Sequence, residues 1–244
     1  MNFIDIHCHL LAGIDDGPEE IETSLAMLER AKEDGIAHLF CTPHIMDGVY
    51  NNRRDGIIAA VESLRDRAPA GLSLYHGADV RVVPDLPRRV EEGSVPTLGD
   101  SGYLLLELPE YSVPPHLDQL FHNLRYRGVT SIITHPERHS MLMGDLKLLR
   151  QWHDEGILVQ VTAMSITGRF GKGIAKSARA MLKAGIVDFI ATDAHAAHGR
   201  SPILSRAFDE VSDEFGAETA ELIFFDNPQK IVDSIGSYQL GQRR

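Results

Sequence analysis

Seven short apolar runs, separated by helix-like stretches, constrain the fold of this chain more than any other feature. They are Phe3–Ile6, Ala37–Cys41, Ser73–His76, Tyr103–Glu107, Ser131–Thr134, Leu158–Val161 and Asp188–Ala191. Each is rich in Ile, Val, Leu or Phe with little polar alternation, as expected of strands covered on both faces. Between them, residues 24–35, 56–68 and 175–185 carry apolar side chains at helical spacing. The first has Leu25, Leu28 and Ala31 and stops at Gly35. Residues 201–235 also read as helical, with Asn227-Pro228 as a break. Alternating strands and helices imply βαβ units around a parallel sheet, either closed as a barrel or open and doubly wound. The 244 residues suffice for one domain spanning 1–244, a length common among α/β barrels.

Polar residues cluster at the C-terminal ends of these runs. His7 and His9 follow the first, with Asp15 and Asp16 in the next loop. His44 ends "CTPH" after the second, and Asp79 ends "HGAD" after the third. Glu107 closes the fourth. His135, Arg138 and His139 lie in "THPERH" after the fifth, and Asp193 and His195 in "TDAH" after the seventh. The sixth offers nothing stronger than Thr162. In a parallel barrel all these ends open on one face, where active sites form. Side chains alternate along a strand, so both histidines of His7-Cys8-His9 point the same way and can reach one ion. Imidazoles and carboxylates without thiolates suit Mn²⁺, Fe²⁺ or Zn²⁺ better than Ca²⁺. Nine such ligands exceed the needs of one ion and fit two or three, bridged by carboxylates.

Other classes fall away on composition. No apolar run reaches the length of a membrane span, and "MNFIDIHCHL" lacks the pattern of a secretory signal. A formal charge of −11 disfavours a nucleic-acid partner. Two cysteines, Cys8 and Cys41, are too few for a disulfide framework and fit a cytoplasmic protein. Neither has an arginine six positions later: Ile14 and Asp47 stand there, so a cysteine-based phosphate loop is excluded.

"DIHCHLLAGIDDGP", "TPH", "GADVR", "LLLELP", "THPERH", "TDAHAAHGRSP" and "DNPQKI", running in order from Asp5 to Ile231, resemble the PHP (polymerase and histidinol phosphatase) superfamily. Within it the chain is similar to bacterial PHP-type protein tyrosine phosphatases of capsule and exopolysaccharide systems. The resemblance implies an α/β fold, a distorted (β/α)7 TIM-like barrel, with a centre of two or three metal ions, usually Mn²⁺, with Fe or Zn as alternatives. By motif, His7, His9 and Asp193 hold the first ion, Glu107 and His135 the second, and Asp16, His44 and His195 the third. Asp79 bridges the first two; the family commonly has Glu there, and aspartate reaches one methylene less far. Arg138 and Arg200 match the arginines that bind substrate phosphate, a role their planar fork suits. The implied substrate is a phosphotyrosine protein, the tail of a tyrosine autokinase, whose dephosphorylation regulates polysaccharide synthesis.

The chemistry expected is metal-assisted phosphomonoester hydrolysis, with the ions lowering the pKa of water and clamping the phosphoryl oxygens. Three divalent ions against four carboxylates leave a surplus of roughly +2, which with two arginines can receive a phosphate dianion. Rival readings are a phosphatase of a small phosphomonoester such as histidinol phosphate, a PHP nuclease, and a non-enzymatic metal-binding scaffold of a polysaccharide assembly machine.

Overall fold

The computed structural model describes residues 1–238. Its strands are β1 (Phe3–Cys8), β2 (Ile36–Cys41), β3 (His44–Ile45), β4 (Ser73–His76), β5 (Asp79–Arg81), β6 (Tyr103–Glu107), β7 (Thr130–Thr134), β8 (Leu158–Thr162) and β9 (Phe189–Ala191). All paired strands are parallel, in the orders β1-β2-β4 and β3-β5-β6-β7-β8-β9. The nine segments make seven staves. Two residues separate β2 from β3, and two separate β4 from β5, and the pairing crosses both gaps: Gly77 N–H donates to the Cys41 carbonyl at 2.9 Å and Asp79 N–H to the Pro43 carbonyl at 3.2 Å. The seam between first and last staves is joined by the Cys8–Ala194 bridge and by bonds from Asp193 N–H to the His7 carbonyl and His9 N–H to the Ala194 carbonyl, each 2.8 Å. The chain is thus a parallel α/β barrel with two interrupted staves. Gly77 is required at one interruption, because a Cβ there would lie 2.6 Å from a Leu98 methyl.

Ile4, Ile6, Phe40, Leu105, Ile132, Phe189 and Ala191 form one buried cluster. They come from five of the seven staves, with β1 and β2 lying across the sheet from β6 and β7, and meet inside the barrel. Following each stave two residues at a time leads from these apolar positions to polar ones: Leu105 to Glu107, Ile132 to Thr134, Ala191 to Asp193, and Phe40 through Thr42 to His44. The barrel is therefore apolar at its N-terminal end and polar at its C-terminal end. A larger cluster, including Met27, Leu28, Ala31, Leu39, Leu104, Leu106 and Ile133, packs the outer faces of the strands against the helices.

The helices lie where the periodicity places them, at Ile21–Glu33, Arg54–Arg65 and Lys172–Lys183. The last region differs from expectation at Asn227-Pro228. Gly216, at φ 93°, separates the helix Ser205–Phe215 from the next turn. From Ala217 the backbone then stays helical through a π-helical stretch, Leu222–Asp226, into Asn227–Asp233. Pro228 stands in the first turn of that last helix, where a missing N–H costs little, so no break forms.

Candidate metal centre

The centre is built on the polar end of the barrel. Continuing inward from Ile4 and Ile6, the next position of a regular strand would be Cys8. A register shift in the β1–β2 pairing between Asp5 and Cys8 moves Cys8 into the outer core and turns His7 and His9 inward. The loop after them is anchored by Asp15, whose Oδ1 accepts from Gly17 N–H at 2.9 Å. A Cβ on Gly17 would lie 2.7 Å from the His9 carbonyl oxygen, so only glycine lets this loop fold back over the strand end. Asp79, Glu107 and Asp193 reach the centre by strand parity. His135 and Asp193 point in from left-handed backbone, at φ 36° and 50°.

All nine expected metal-ligand residues stand in this one cluster. Asp79 Oδ2 lies 3.6 Å from His7 Nε2, 3.5 Å from His44 Nδ1 and 3.8 Å from His135 Nε2. Asp193 Oδ1 lies 3.6 Å from His7 Nε2 and 3.5 Å from His9 Nε2. Asp16 Oδ1 is 3.5 Å from His44 Nε2 and 3.3 Å from His195 Nε2. Glu107 Oε2 is 3.8 Å from His44 Nδ1. By distance the donors fall into three groups: His7, His9 and Asp79; His44, Asp79 and Glu107; and His9, Asp16, His44 and His195. His9, His44 and Asp79 each take part in two. His44, placed by motif with the third ion, thus also faces Glu107, where His135 was expected.

Most of these separations exceed a hydrogen bond. Two ligands about 2.1 Å from one ion, at angles between octahedral and tetrahedral, sit roughly 3.0–3.4 Å apart. Asp79 Oδ2 and His44 Nδ1 are buried with no hydrogen-bond partner, which is costly unless something else satisfies them. The donor set therefore fits small divalent cations. The shorter aspartate does not leave Asp79 out of the cluster, since its Oδ2 faces three imidazoles.

Hydrogen bonds orient the donors. His7 Nδ1 is 2.9 Å from Gln160 Oε1, and His9 Nδ1 is 2.8 Å from Asp15 Oδ2, which also accepts from His44 N–H at 3.1 Å. Thr134 Oγ1 donates to Asp79 Oδ1 at 3.2 Å, and Arg81 donates from Nε and Nη2 to Glu107 Oε2 at 3.1 and 3.0 Å. Such partners fix ring orientation and ligand basicity. Burial, then the neighbouring imidazoles of His195, His44 and His7, holds the His9 pKa well below its usual value. Burial and the Arg138 charge lower that of His135 to about 4. Both rings are neutral at pH 7, the state that ligates a metal. Burial works against ionising Asp79, yet His7, His135 and His44 outweigh it and bring its pKa below the ordinary range. Burial, then the Asp79 charge, raises Glu107.

At the rim, Arg138 and Arg200 converge. Both donate from Nη2 to Asp193 Oδ2, Arg200 at 2.7 Å, and both guanidinium groups lie over the Phe170 ring, at 5.1 and 5.9 Å. A 400 Å³ pocket opens here, lined by Asp16, His44, Glu107, His135 and the two arginines. Tyr50 lies parallel to His44 with ring centroids 5.8 Å apart. His76, beside "GAD", faces Asp100 at 3.4 Å and is outside the centre. Sequence reasoning placed Asp15 in the loop of the site but gave it no role, and it missed Gln160, Arg81 and Phe170. Only Asp15 carried a local signal, the Asp-x-Gly turn.

Known proteins resemble this chain over most of its length. The tyrosine-protein phosphatase YwqE of Bacillus subtilis is 31% identical over 218 residues, 88% of this chain and 86% of its own. The tyrosine-protein phosphatase CpsB of Streptococcus pneumoniae is 29% identical over 237 residues, 94% and 98% of the two chains. A crystal structure from work on YwqE and CpsB, described as unique metal-dependent tyrosine phosphatases, superposes with a TM-score of 0.91 at 29% identity, covering 95% of this chain and 94% of the other. A lactonase from Listeria monocytogenes, 11% identical with a TM-score of 0.60, covers 99% of this chain and 95% of its own and shares the fold alone. Residues 3–233 match the model of the capsular polysaccharide synthesis family CpsB/CapC, and the chain belongs to that family.

Proposed function

We propose that this protein is a divalent-metal-dependent phosphatase of phosphotyrosine in proteins, acting in capsular or exopolysaccharide synthesis. The observation that carries the reading is the convergence of nine imidazole and carboxylate side chains in one cluster, six of which line a pocket together with Arg138 and Arg200. The tyrosine phosphatases among its relatives supply the substrate class. His7, His9, Asp16, His44, Asp79, Glu107, His135, Asp193 and His195 would hold two or three ions, with Mn²⁺ the metal we favour over Fe or Zn. Such ions, when bound, make water nucleophilic at neutral pH and neutralise phosphoryl oxygens.

The chain's own residues do the rest. Arg138 and Arg200 orient the phosphate and offset the charge that grows on it in the transition state. Phe170 supports both guanidinium planes. Asp15, Gln160 and Arg81 hold His9, His7 and Glu107 in place. The phosphoprotein we favour is the tyrosine-bearing tail of a tyrosine autokinase, and the setting is the cytoplasm, with residues 1–244 as one domain. Among the described residues no helix is long and apolar enough to cross a membrane.

The deciding experiment is a Mn²⁺-supplemented panel of phosphotyrosine peptide, histidinol phosphate and single-stranded DNA. The reading expects the peptide to be turned over fastest. Faster turnover of histidinol phosphate would replace it with a metabolite phosphatase, and no turnover of any would favour a metal-binding scaffold.

A further inference from the structure

His139, the second histidine of "THPERH", stands outside the ligand cluster, yet it is buried and lines the metal pocket. Its ring bonds go to backbone groups. Nδ1 accepts from Met141 N–H at 3.2 Å and from Leu142 N–H at 3.3 Å. In the neutral ring the proton therefore sits on Nε2, which donates to the Pro109 carbonyl at 2.8 Å and also faces the Ser112 carbonyl at 3.3 Å. Ser140 repeats the link. Its N–H and Oγ both donate to the Glu110 carbonyl, at 3.3 and 2.9 Å.

These bonds join a firm loop to an exposed one. After β7, Arg138 is held by Asp193, Leu142 is fully buried, and the Met143 carbonyl accepts from Ser177 Oγ at 3.0 Å. After β6, Glu110, Tyr111 and Ser112 are exposed. That second loop directly follows Glu107 and gives Leu108 and Glu110 to the pocket wall. On the phosphatase reading, the metal ligands and arginines meet the phosphate. The wall at Leu108 and Glu110 is then left to the group that the phosphate is esterified to. A wall on an exposed loop helps binding only while it is held in place, and affinity falls with the fraction of molecules in which it is.

We propose that His139 is a positioning residue for that esterified group: its bonds to Pro109 and Ser112 clasp the exposed loop and hold the wall of Leu108 and Glu110 against an aryl phosphate. The proposal rests on the phosphatase reading above. Two substitutions separate the two ring nitrogens. His139→Asn keeps an acceptor close to the position of Nδ1, where it still serves Met141 and Leu142, but it does not reach Pro109. His139→Gln carries an NH2 donor out to the reach of Nε2. With Mn²⁺-loaded protein and phenyl phosphate, His139→Asn should raise KM about 2- to 10-fold, the worth of one neutral hydrogen bond, with the loss in KM rather than kcat. His139→Gln should restore most of the wild-type KM. The inhibition constant of inorganic phosphate and the Mn²⁺ affinity should hold in both variants, since neither depends on that wall. Ser140→Ala, an exposed change that removes the Oγ tie to Glu110, should raise KM in the same direction and carries the test if His139→Asn does not fold. An unchanged KM in folded His139→Asn, or in Ser140→Ala where the first does not fold, would overturn the clasp while leaving the phosphatase intact. So would an equal rise in His139→Asn and His139→Gln, or a weakening of phosphate and Mn²⁺ binding alongside KM. Failure of wild-type protein to turn over phenyl phosphate would remove the phosphatase reading and the clasp with it.

Discussion

Asp15→Asn is the substitution that most directly tests how the centre is held. The Asp15 side chain is fully covered. Its two oxygens accept three hydrogen bonds, from His9 Nδ1 at 2.8 Å, His44 N–H at 3.1 Å and Gly17 N–H at 2.9 Å. Asparagine has nearly the same shape but only one oxygen. If that oxygen stays with His9 and His44, the new NH2 group faces the Gly17 N–H. If the amide turns over, it faces the other two donors instead. At least one covered donor loses its acceptor either way, at a cost of about 1–3 kcal/mol in folding stability. The change also removes the carboxylate that orients the His9 ring through its Nδ1. Loss of such a supporting partner typically weakens metal binding about 10- to 100-fold, or roughly 1.4–2.7 kcal/mol. The group of His9, Asp16, His44 and His195 should suffer most, since Asp15 holds the ring of one member and the backbone of another. Calorimetric titration of the chelated protein with Mn²⁺, beside urea denaturation, reads both effects. Mn²⁺ affinities within about twofold of wild type, with an unchanged urea midpoint, would refute a supporting role for Asp15.

Further outcomes follow from the same geometry. Chelation should abolish phosphotyrosine turnover and Mn²⁺ restore it, whereas the fully buried Cys8 and Cys41 should tolerate joint replacement by Ser with most activity kept; loss of turnover in that folded, metal-loaded variant would refute a thiol-free mechanism. Arg138→Ala and Arg200→Ala should each lower kcat/KM about 10- to 100-fold with metal content unchanged, and Lys should rescue only partly; wild-type efficiency in both alanine variants would mean that the anion is held without them. His7→Ala and Glu107→Ala should remove turnover yet keep the circular dichroism of the barrel, and wild-type rates would contradict their place among the ligands. The His135 pKa is lowered to about 4, so below about pH 6.5 the unfolded chain takes up a proton there that the folded chain refuses until near pH 4, and this group's contribution to stability falls across that window, while Glu107 and Asp5, both raised to about 7, contribute the opposite sign. An NMR titration of the His135 ring in the chelated protein should therefore show a midpoint near 4, and a midpoint near the ordinary value of about 6.5 would show that this ring is not held neutral.

The parallel α/β layout and its polar face were legible because both follow from periodicity, whereas closure into a barrel was implied only by the family resemblance. All seven apolar runs became strands, and the residues just beyond six of them became one cluster. The interruptions at Thr42-Pro43 and Gly77-Ala78 were not legible, because the tight approach of Gly77 to Leu98 and Thr42 that accompanies them is a tertiary contact. The inward turn of His7 was hidden for a related reason. Period two predicts that His7 and His9 share a side but not which side, and a register shift against β2 decides it. Gln160 illustrates a third limit. A glutamine in an apolar strand reads as unremarkable, and only the fold brings it to His7, 153 residues away.

Asp193 joins the ligand cluster to the arginine pair, and sequence cannot reveal that either. One oxygen faces the imidazoles of His7, His9 and His195. The other accepts from Arg138 and Arg200. Burial resists its ionisation, but the charges of Arg138, His7 and Arg200 hold its pKa well below the usual range, so it is charged at neutral pH. Its backbone is left-handed at φ 50°, as is that of His135 at φ 36°. A non-glycine residue there costs on the order of 1 kcal/mol or more, and such strain persists only where surrounding contacts over-determine it. For Asp193 those contacts are the two arginines, the facing imidazoles and the bond to the His7 carbonyl. Asp193→Asn therefore differs in kind from the single arginine variants. It withdraws a charge from the ligand cluster and from both guanidinium groups at once, so metal affinity and KM should worsen together, whereas Arg138→Ala or Arg200→Ala should spare metal binding. If Asp193→Asn raised KM while Mn²⁺ affinity held at the wild-type value, Asp193 would belong to the arginine pair alone and the two halves of the site would be independent.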